Sequence, residues 1–224
     1  MGITERKVRE KEHRKEEILD AAKKVFFEKG LSAATMDEIA EAAELSKGTL
    51  YLYYKSKEDM YLGVMMRGME ELYEDFERIG TSSVSTLHKI MELGDVYRKY
   101  FDKHRKFFRM IHFLQSPQFH KQVSDEMKKT CDMETQRVWN VINSILQTGM
   151  DEGLLRPNYN PMELGVILWS NMNALMLRID NEGDKWKKRF NIDLEHTLSV
   201  STTLLFESIL TTRGRTEYAA LANK

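Results

Sequence analysis

Apolar residues recur three and four positions apart along almost the whole of this 224-residue chain. Ile18, Ala21, Ala22, Val25 and Phe26 set the pattern, and Leu87, Ile90, Met91, Leu93, Val96, Tyr97, Tyr100 and Phe101 repeat it. Leu164, Leu168, Asn171, Leu175 and Arg178 follow at heptad-like spacing, then Leu194, Leu198, Leu205, Phe206 and Ile209. That is the period of a helix with one buried face. No stretch alternates as a strand does, and there is no internal repeat or low-complexity tract. With only 12 Gly and 3 Pro, turns are few and helices long. The predicted fold class is all-α: a short helical N-terminal domain, residues 1–60, followed by a larger helical domain, residues 61–224.

Helix ends are written in the sequence. Residues 5–15 mix six Arg and Lys with three Glu, a modestly basic arm that leads into the first helix. Gly30 closes that helix, because glycine takes the left-handed conformation without a Cβ clash. Thr35 and Glu38 form a T-x-x-E capping box, and Ser46 caps a third, short helix. Ser56 with Asp59 opens a fourth that runs to about Ile79. Residues 80–85 (GTSSVS) read as a loop, with Ser85 as the next cap. After a short apolar segment, residues 107–114, Ser116–Pro117 reads as an N-cap with proline in the first turn. One long helical stretch is expected from there to Gly153. Asn160–Pro161 opens another helix, which Asn181 to Gly183 should end, and the last helix starts near Asp193.

Composition narrows the classes of function. The chain is 42% hydrophobic and 31% charged with a net charge of −1, a folded protein and not a polycation. Any nucleic-acid binding must come from a local surface. Cys131, the single cysteine, has no intrachain partner and suits a reducing compartment. The charged N-terminus is unlike a signal peptide, and no run approaches the roughly 18 apolar residues of a membrane helix. The expectation is a cytoplasmic protein with no membrane partner. His104, His112, His120 and Cys131 match no zinc spacing. No metal, cofactor or catalytic residue is expected, since nucleophile–base pairs and phosphate loops are absent from the sequence.

One segment carries chemistry. Residues 35–57 (TMDEIAEAAELSKGTLYLYYKSK) contain two short capped helices joined by a tight turn. From Leu45 to Lys57 there are three Lys and no acid, in a chain otherwise dense in Glu. An acid-free surface rich in hydrogen-bonding groups suits a phosphate backbone and the base edges beside it. Lys47 can reach a guanine edge or a phosphate, and Thr49 a phosphate or a thymine methyl. Tyr51 and Tyr53 can lie along sugars and donate a hydroxyl to phosphate. Lys57 sits at a helix N-terminus, which itself favours an anion. Leu50 and Tyr54 read as core.

These residues closely resemble the TetR family of bacterial transcriptional regulators. Residues 39–43 (IAEAA) and 46–59 (SKGTLYLYYKSKED) follow that family's I-A-x-x-A-G-V-S-x-G-T-L-Y-x-Y-F-x-S-K-E-x-L pattern. Ile18, Ala21, Ala22, Phe26, Gly30 and Thr35 extend the likeness over about residues 14–66. Two positions depart from it. Glu44 stands where the family often has Gly, which places a non-Gly residue at positive φ, and Tyr54 replaces the commoner Phe. The resemblance implies a three-helix DNA-binding domain and a helical domain that dimerises and usually binds a small molecule. The family's DNA-contacting positions carry over to Lys47, Gly48, Thr49, Tyr51, Tyr53 and Lys57, with Thr35 and Met36 at the head of the second helix.

The larger domain offers a thinner signal. Phe107, Met110, Phe113, Trp139, Trp169, Met172 and Met176 are candidates to line a pocket for a small apolar or aromatic ligand, although such spacing is also that of plain core. Asn171 interrupts a leucine stripe, either to hydrogen-bond a ligand or to fix register in a dimer seam. The resemblance places a homodimer on residues 161–181 and 193–211. The function implied is a dimeric repressor of a palindromic, double-stranded DNA operator, released by ligand. The alternative is a ligand-independent architectural or division-linked DNA binder.

Overall fold

The computed structural model describes residues 2–113 and 117–222. Among the described residues eleven α-helices follow one another, and the only β pairing is an isolated bridge between Leu155 and Leu210. The all-α expectation holds. The chain divides into two compact units, each drawn from separate stretches: Met1–Glu70 with Lys106–Glu134, and Glu71–Arg105 with Thr135–Lys224.

The first unit begins with α1 (Ile3–Ala33), whose helical path breaks at Gly30, φ 73°. Ala34 N–H donates to the Gly30 carbonyl at 3.2 Å, which ends the helix where the sequence placed its stop. α2 (Met36–Ala42) opens on the full capping box, with Thr35 and Glu38 satisfying each other's backbone N–H groups. α3 (Lys47–Tyr51) is capped by Ser46, and Asp59 N–H donates to Ser56 Oγ at 3.0 Å in the first turn of α4 (Lys57–Thr81). Ile18, Ala22, Phe26, Ile39, Leu50, Met60 and Val64 form the shared core. Arg67 clamps α4 to α1 through Glu16 and Asp20, at 2.8 and 2.7 Å.

α6 (Arg105–Phe113), α7 (Pro117–Gln122) and the first part of α8 (Asp125–Asp151) complete this unit. Phe107 stacks edge-on to Phe27 and lies so close to α4 that a Cβ on Gly68 would sit 2.2 Å from its ring. Tyr61 packs edge-on against both Phe26 and Phe119. The single long helix expected before Gly153 is instead two, α7 and α8. Ser124 caps α8, and its N–H donates to the buried Asp59 carboxylate at 2.8 Å. Ser116, the cap expected before Pro117, lies outside the described residues.

In the second unit α5 (Thr86–Lys103), capped by Ser85 as expected, buries Leu87, Ile90, Leu93, Val96, Tyr97, Tyr100 and Phe101. Helix α4 ends at Thr81, close to the expected end near Ile79, and Gly80 in its last turn lies against Val141, 3.0 Å from where a Cβ would be. One expected stop is not a stop. α9 (Pro161–Phe190), capped by Asn160, runs through Gly183. The Arg178 guanidinium over Trp186, and Trp186 Nε1–H donating to Glu182 at 2.9 Å, carry it across. It ends at Asn191, a left-handed residue at φ 55°. α10 (Leu194–Ile209) starts from the Asp193 cap and packs on α9. It is not the last helix: α11 (Thr212–Ala222) follows. Gly214 there lies against the Leu154 carbonyl oxygen, 2.2 Å from a would-be Cβ.

Candidate nucleic-acid interface

The candidate reading element, α3, is a five-residue helix, too short to hold itself together. Three local devices hold it. Leu50 is wholly buried and pins it from beneath. Ser46 Oγ accepts Thr49 N–H at 3.1 Å and lies 2.8 Å from its hydroxyl. Before it, the turn is tight enough that Glu44 adopts φ 54°, the positive φ its sequence position implied. Leu45 N–H donates back to the Ala40 carbonyl at 2.9 Å, closing the turn.

What this leaves outward is a ridge. Lys47, Gly48 and Tyr51 are exposed, while Thr49 and Tyr53 are half-buried. No acid lies in α3, but one faces it: Lys47 Nζ meets the Asp37 carboxylate of α2 at 3.0 Å. The hydrogen bond to Asp37 raises the Lys47 pKa above the ordinary lysine value. Both side chains stand in solvent, so the pair is exchangeable for a phosphate. Leu52 was not singled out in the sequence, yet it is 79% exposed at the end of this ridge. A leucine in a helical pattern reads as core; nothing but its place one residue past the buried Leu50 marked it.

The other three candidates serve the fold in the free protein. Thr35 is exposed, with its hydroxyl in the capping box. Met36 is buried, facing the core of the unit. Lys57 Nζ donates to the carbonyls of Leu31 and Ala34, at 2.8 and 2.9 Å, and so ties the head of α4 to the turn after α1. One of its three ammonium protons remains uncommitted by these bonds. Tyr54 is buried, and that burial raises its phenol pKa.

The ligand candidates scatter. Trp169, Asn171 and Met172 line a cavity of about 280 Å³ within the second unit, among Phe76, Leu146, Leu198 and Phe206. Trp139 packs edge-on to Trp169 at 5.9 Å, and Met176 is fully buried. Phe107 and Met110 belong to the first unit, and the Phe113 side chain lies outside the described residues. Asn171 Oδ1 accepts from Ser201 Oγ at 2.8 Å, joining α9 to α10 at the cavity wall. Nearby, the Tyr97 hydroxyl donates to the buried Asn173 at 2.6 Å. His104 lies 3.1 Å from Glu71, and among the described residues no three acidic, His or Cys side chains gather to hold a metal.

A short acid-free helix, set by a capped turn on a three-helix core, defines a helix-turn-helix DNA-binding domain. Residues 18–64 match the profile of the bacterial regulatory proteins, tetR family. The HTH-type transcriptional repressor KstR2 of Mycolicibacterium smegmatis is 28% identical over 65% of this chain and 69% of its own length. The HTH-type transcriptional activator FasR of the same organism is 26% identical over 59% and 60%. The chain thus spans about three fifths to two thirds of these relatives. Among solved structures, the regulator FadR from Bacillus subtilis, in complex with stearoyl-CoA, superposes with a TM-score of 0.63 at 18% identity, over 84% of this chain and 96% of that one. A putative tetR family regulator from Shewanella sp. PV-4 gives 0.64 at 17% identity, over 88% and 98%. Residues 18–64 thus carry the helix-turn-helix of the tetR family of bacterial regulatory proteins, and the two relatives are named as transcription regulators. No helix among the described residues is long and apolar enough to cross a membrane.

Proposed function

We propose that this chain is a homodimeric transcriptional repressor that binds a palindromic operator and is released by a small apolar or aromatic ligand. The observation that carries the proposal is the ridge of exposed Lys47, Gly48 and Tyr51 with half-buried Thr49 and Tyr53, held on a buried Leu50. Residues 1–60 act as the reader and 61–224 as the regulatory part, working in the cytoplasm where its DNA lies.

Dimerisation is supported by a bare apolar face. Val166, Ile167, Val200 and Leu204 are 40–62% exposed on α9 and α10, with Ser170, Ala174, Ser199 and Thr203 exposed around them. Apolar surface of this kind marks an association site, and self-association through one patch gives a two-fold dimer. Two copies of α3 about 34 Å apart would then read successive major grooves.

The switch is supported by the cavity and by α4. Apolar side chains dominate the cavity wall, and Asn171, Arg98 and Asp95 add polar groups, the make-up of a small-molecule site. Helix α4 runs in one piece from the first unit, at Lys57, into the second, at Thr81. A ligand that favours a different tilt of α4 shifts the spacing of the two readers, a coupling typically of about 1–3 kcal/mol.

The test is a panel of small aromatic and long-chain acyl compounds, screened first for binding by calorimetry and then for release of an operator duplex. A compound that binds the wild type and weakens operator affinity about 5- to 150-fold, but not in a Met172→Trp variant with the cavity filled, is the expected result. Compounds that bind tightly and never shift operator affinity would move the reading to a ligand-independent architectural binder. An operator tightened by ligand would instead fit an activator such as the relative FasR is named to be.

A further inference from the structure

From Glu5 to Arg14, α1 buries nothing: every residue is exposed, and the one apolar side chain among them, Val8, is 58% exposed. A helix polar on all sides contributes no packing to the protein that carries it. Its charges are mostly committed: Arg6 pairs with Glu10 at 2.8 Å, Lys15 with Glu12 at 3.1 Å, and Arg14 with Glu17 at 2.8 Å. Lys7 and Lys11 make neither hydrogen bond nor ion pair among the described residues.

These two free cations are not placed at random. At 3.6 residues per turn, Lys7, Lys11 and Arg14 fall within an arc of about 60° on one side of the helix. That side borders the reading element. Lys7, Glu10, Lys11, His13 and Arg14 line a shallow groove together with Tyr53, which follows α3. The one carboxylate there, Glu10, is neutralised by Arg6, and the His13 ring lies 3.4 Å from Glu17. A basic helical face is therefore continuous with the DNA-reading ridge and matches in charge what that ridge would meet.

We propose that the N-terminal turns of α1 are a second DNA-contacting element, lying along the sugar–phosphate backbone that flanks each half-site. Lys7 and Lys11 contact phosphates directly, and Arg14 exchanges Glu17 for a third. The contact is to backbone, so it adds affinity and orientation without sequence preference. It rests on the operator-binding reading above.

The experiment is operator binding by fluorescence anisotropy over a salt series, for the wild type, Lys7→Gln/Lys11→Gln, and a control pair on α9, Lys185→Gln/Lys188→Gln. Gln keeps helix propensity close to that of Lys, and circular dichroism confirms the fold. Each phosphate contact contributes about 0.9 to the slope of log Kobs against log salt. The α1 double variant is expected to lower that slope by about 2 per bound chain. Its loss of affinity should be equal on operator and scrambled duplex, and the control pair should change nothing. Trimming the duplex to the bare half-sites should abolish the difference between wild type and variant. A double variant with the wild-type slope would overturn the proposal while leaving the operator reading intact. A difference that persists on the trimmed duplex would overturn the flanking placement. A wild type that binds no duplex would remove the operator reading itself, and this one with it.

Discussion

Gly48 separates what folding needs from what binding needs. A Cβ there would meet only Ser46 Oγ, at an ordinary 3.7 Å, and the backbone is not at positive φ. Alanine is worth up to about 1 kcal/mol more than glycine inside a helix. Gly48→Ala is therefore expected to raise the thermal midpoint slightly while weakening operator binding, because in the proposed interface its methyl would stand between the α3 backbone and DNA. A variant both stabler and fully active would remove Gly48 from the interface. Asp37→Asn probes the neighbouring pair. Freed of its 3.0 Å partner, Lys47 should bind operator several-fold more tightly at low salt, and the gain should fade as salt screens it. Residue roles set within three or four positions were legible in the sequence: the Thr35, Ser46 and Ser56 caps, and Glu44 at φ 54°. The partners of Lys57 were not, because Leu31 and Ala34 reach it only once α1, α2 and α4 have packed.

Asp59 shows the same contrast among elements. As the third residue of a capped helix it looks like a routine first-turn acid, yet it is 2% exposed and accepts the Ser124 N–H at 2.8 Å. It joins the head of α4 to the head of α8. Asp59→Ala leaves that part-buried N–H without its carboxylate partner, at a cost of about 1 kcal/mol. Asp59→Asn keeps an acceptor oxygen and should cost less. Equal midpoints for the two variants in urea would mean the bond carries no stability. Helix α9 runs past the stop expected at Gly183, since glycine's penalty of about 1 kcal/mol is offset within the helix by Trp186, which takes the Arg178 guanidinium over its ring and donates to Glu182. Helix α11 escaped notice because its amphipathic pattern is weak; the features that fix it are Gly214 against Leu154 and the Phe206–Tyr218 edge contact.

For the whole molecule, buried phenols make a prediction at high pH. Burial, before any other cause, raises the pKa of Tyr54 and Tyr61 in the first unit and of Tyr97 and Tyr100 in the second. Unfolded, all four ionise near pH 10; folded, they stay protonated. Their contribution is thus fully present below about pH 10 and lost as pH rises from there through the folded pKa values. In an alkaline titration, at least four of the nine tyrosines should ionise only together with loss of helical circular dichroism. Smooth ionisation of all nine with the helices intact would contradict it. The discontinuous first unit had no local signature, because Phe107, Met110 and Phe119 carry the spacing of any amphipathic helix. Their partners Phe27, Gly68 and Tyr61 are chosen by packing alone.

Operator binding by two copies of the α3 ridge is the property on which the proposed function depends most directly. The direct measurement is anisotropy with labelled DNA from beside the chain's own gene, at two salt concentrations and with stoichiometry determined. Two chains per site are expected, with discrimination over scrambled duplex. Tyr51→Ala should lose that discrimination, and Leu204→Glu should give a monomer that binds at least tenfold more weakly, as expected when one of two half-site contacts is lost. Weak binding, indifferent to sequence and unchanged in both variants, would contradict the central claim.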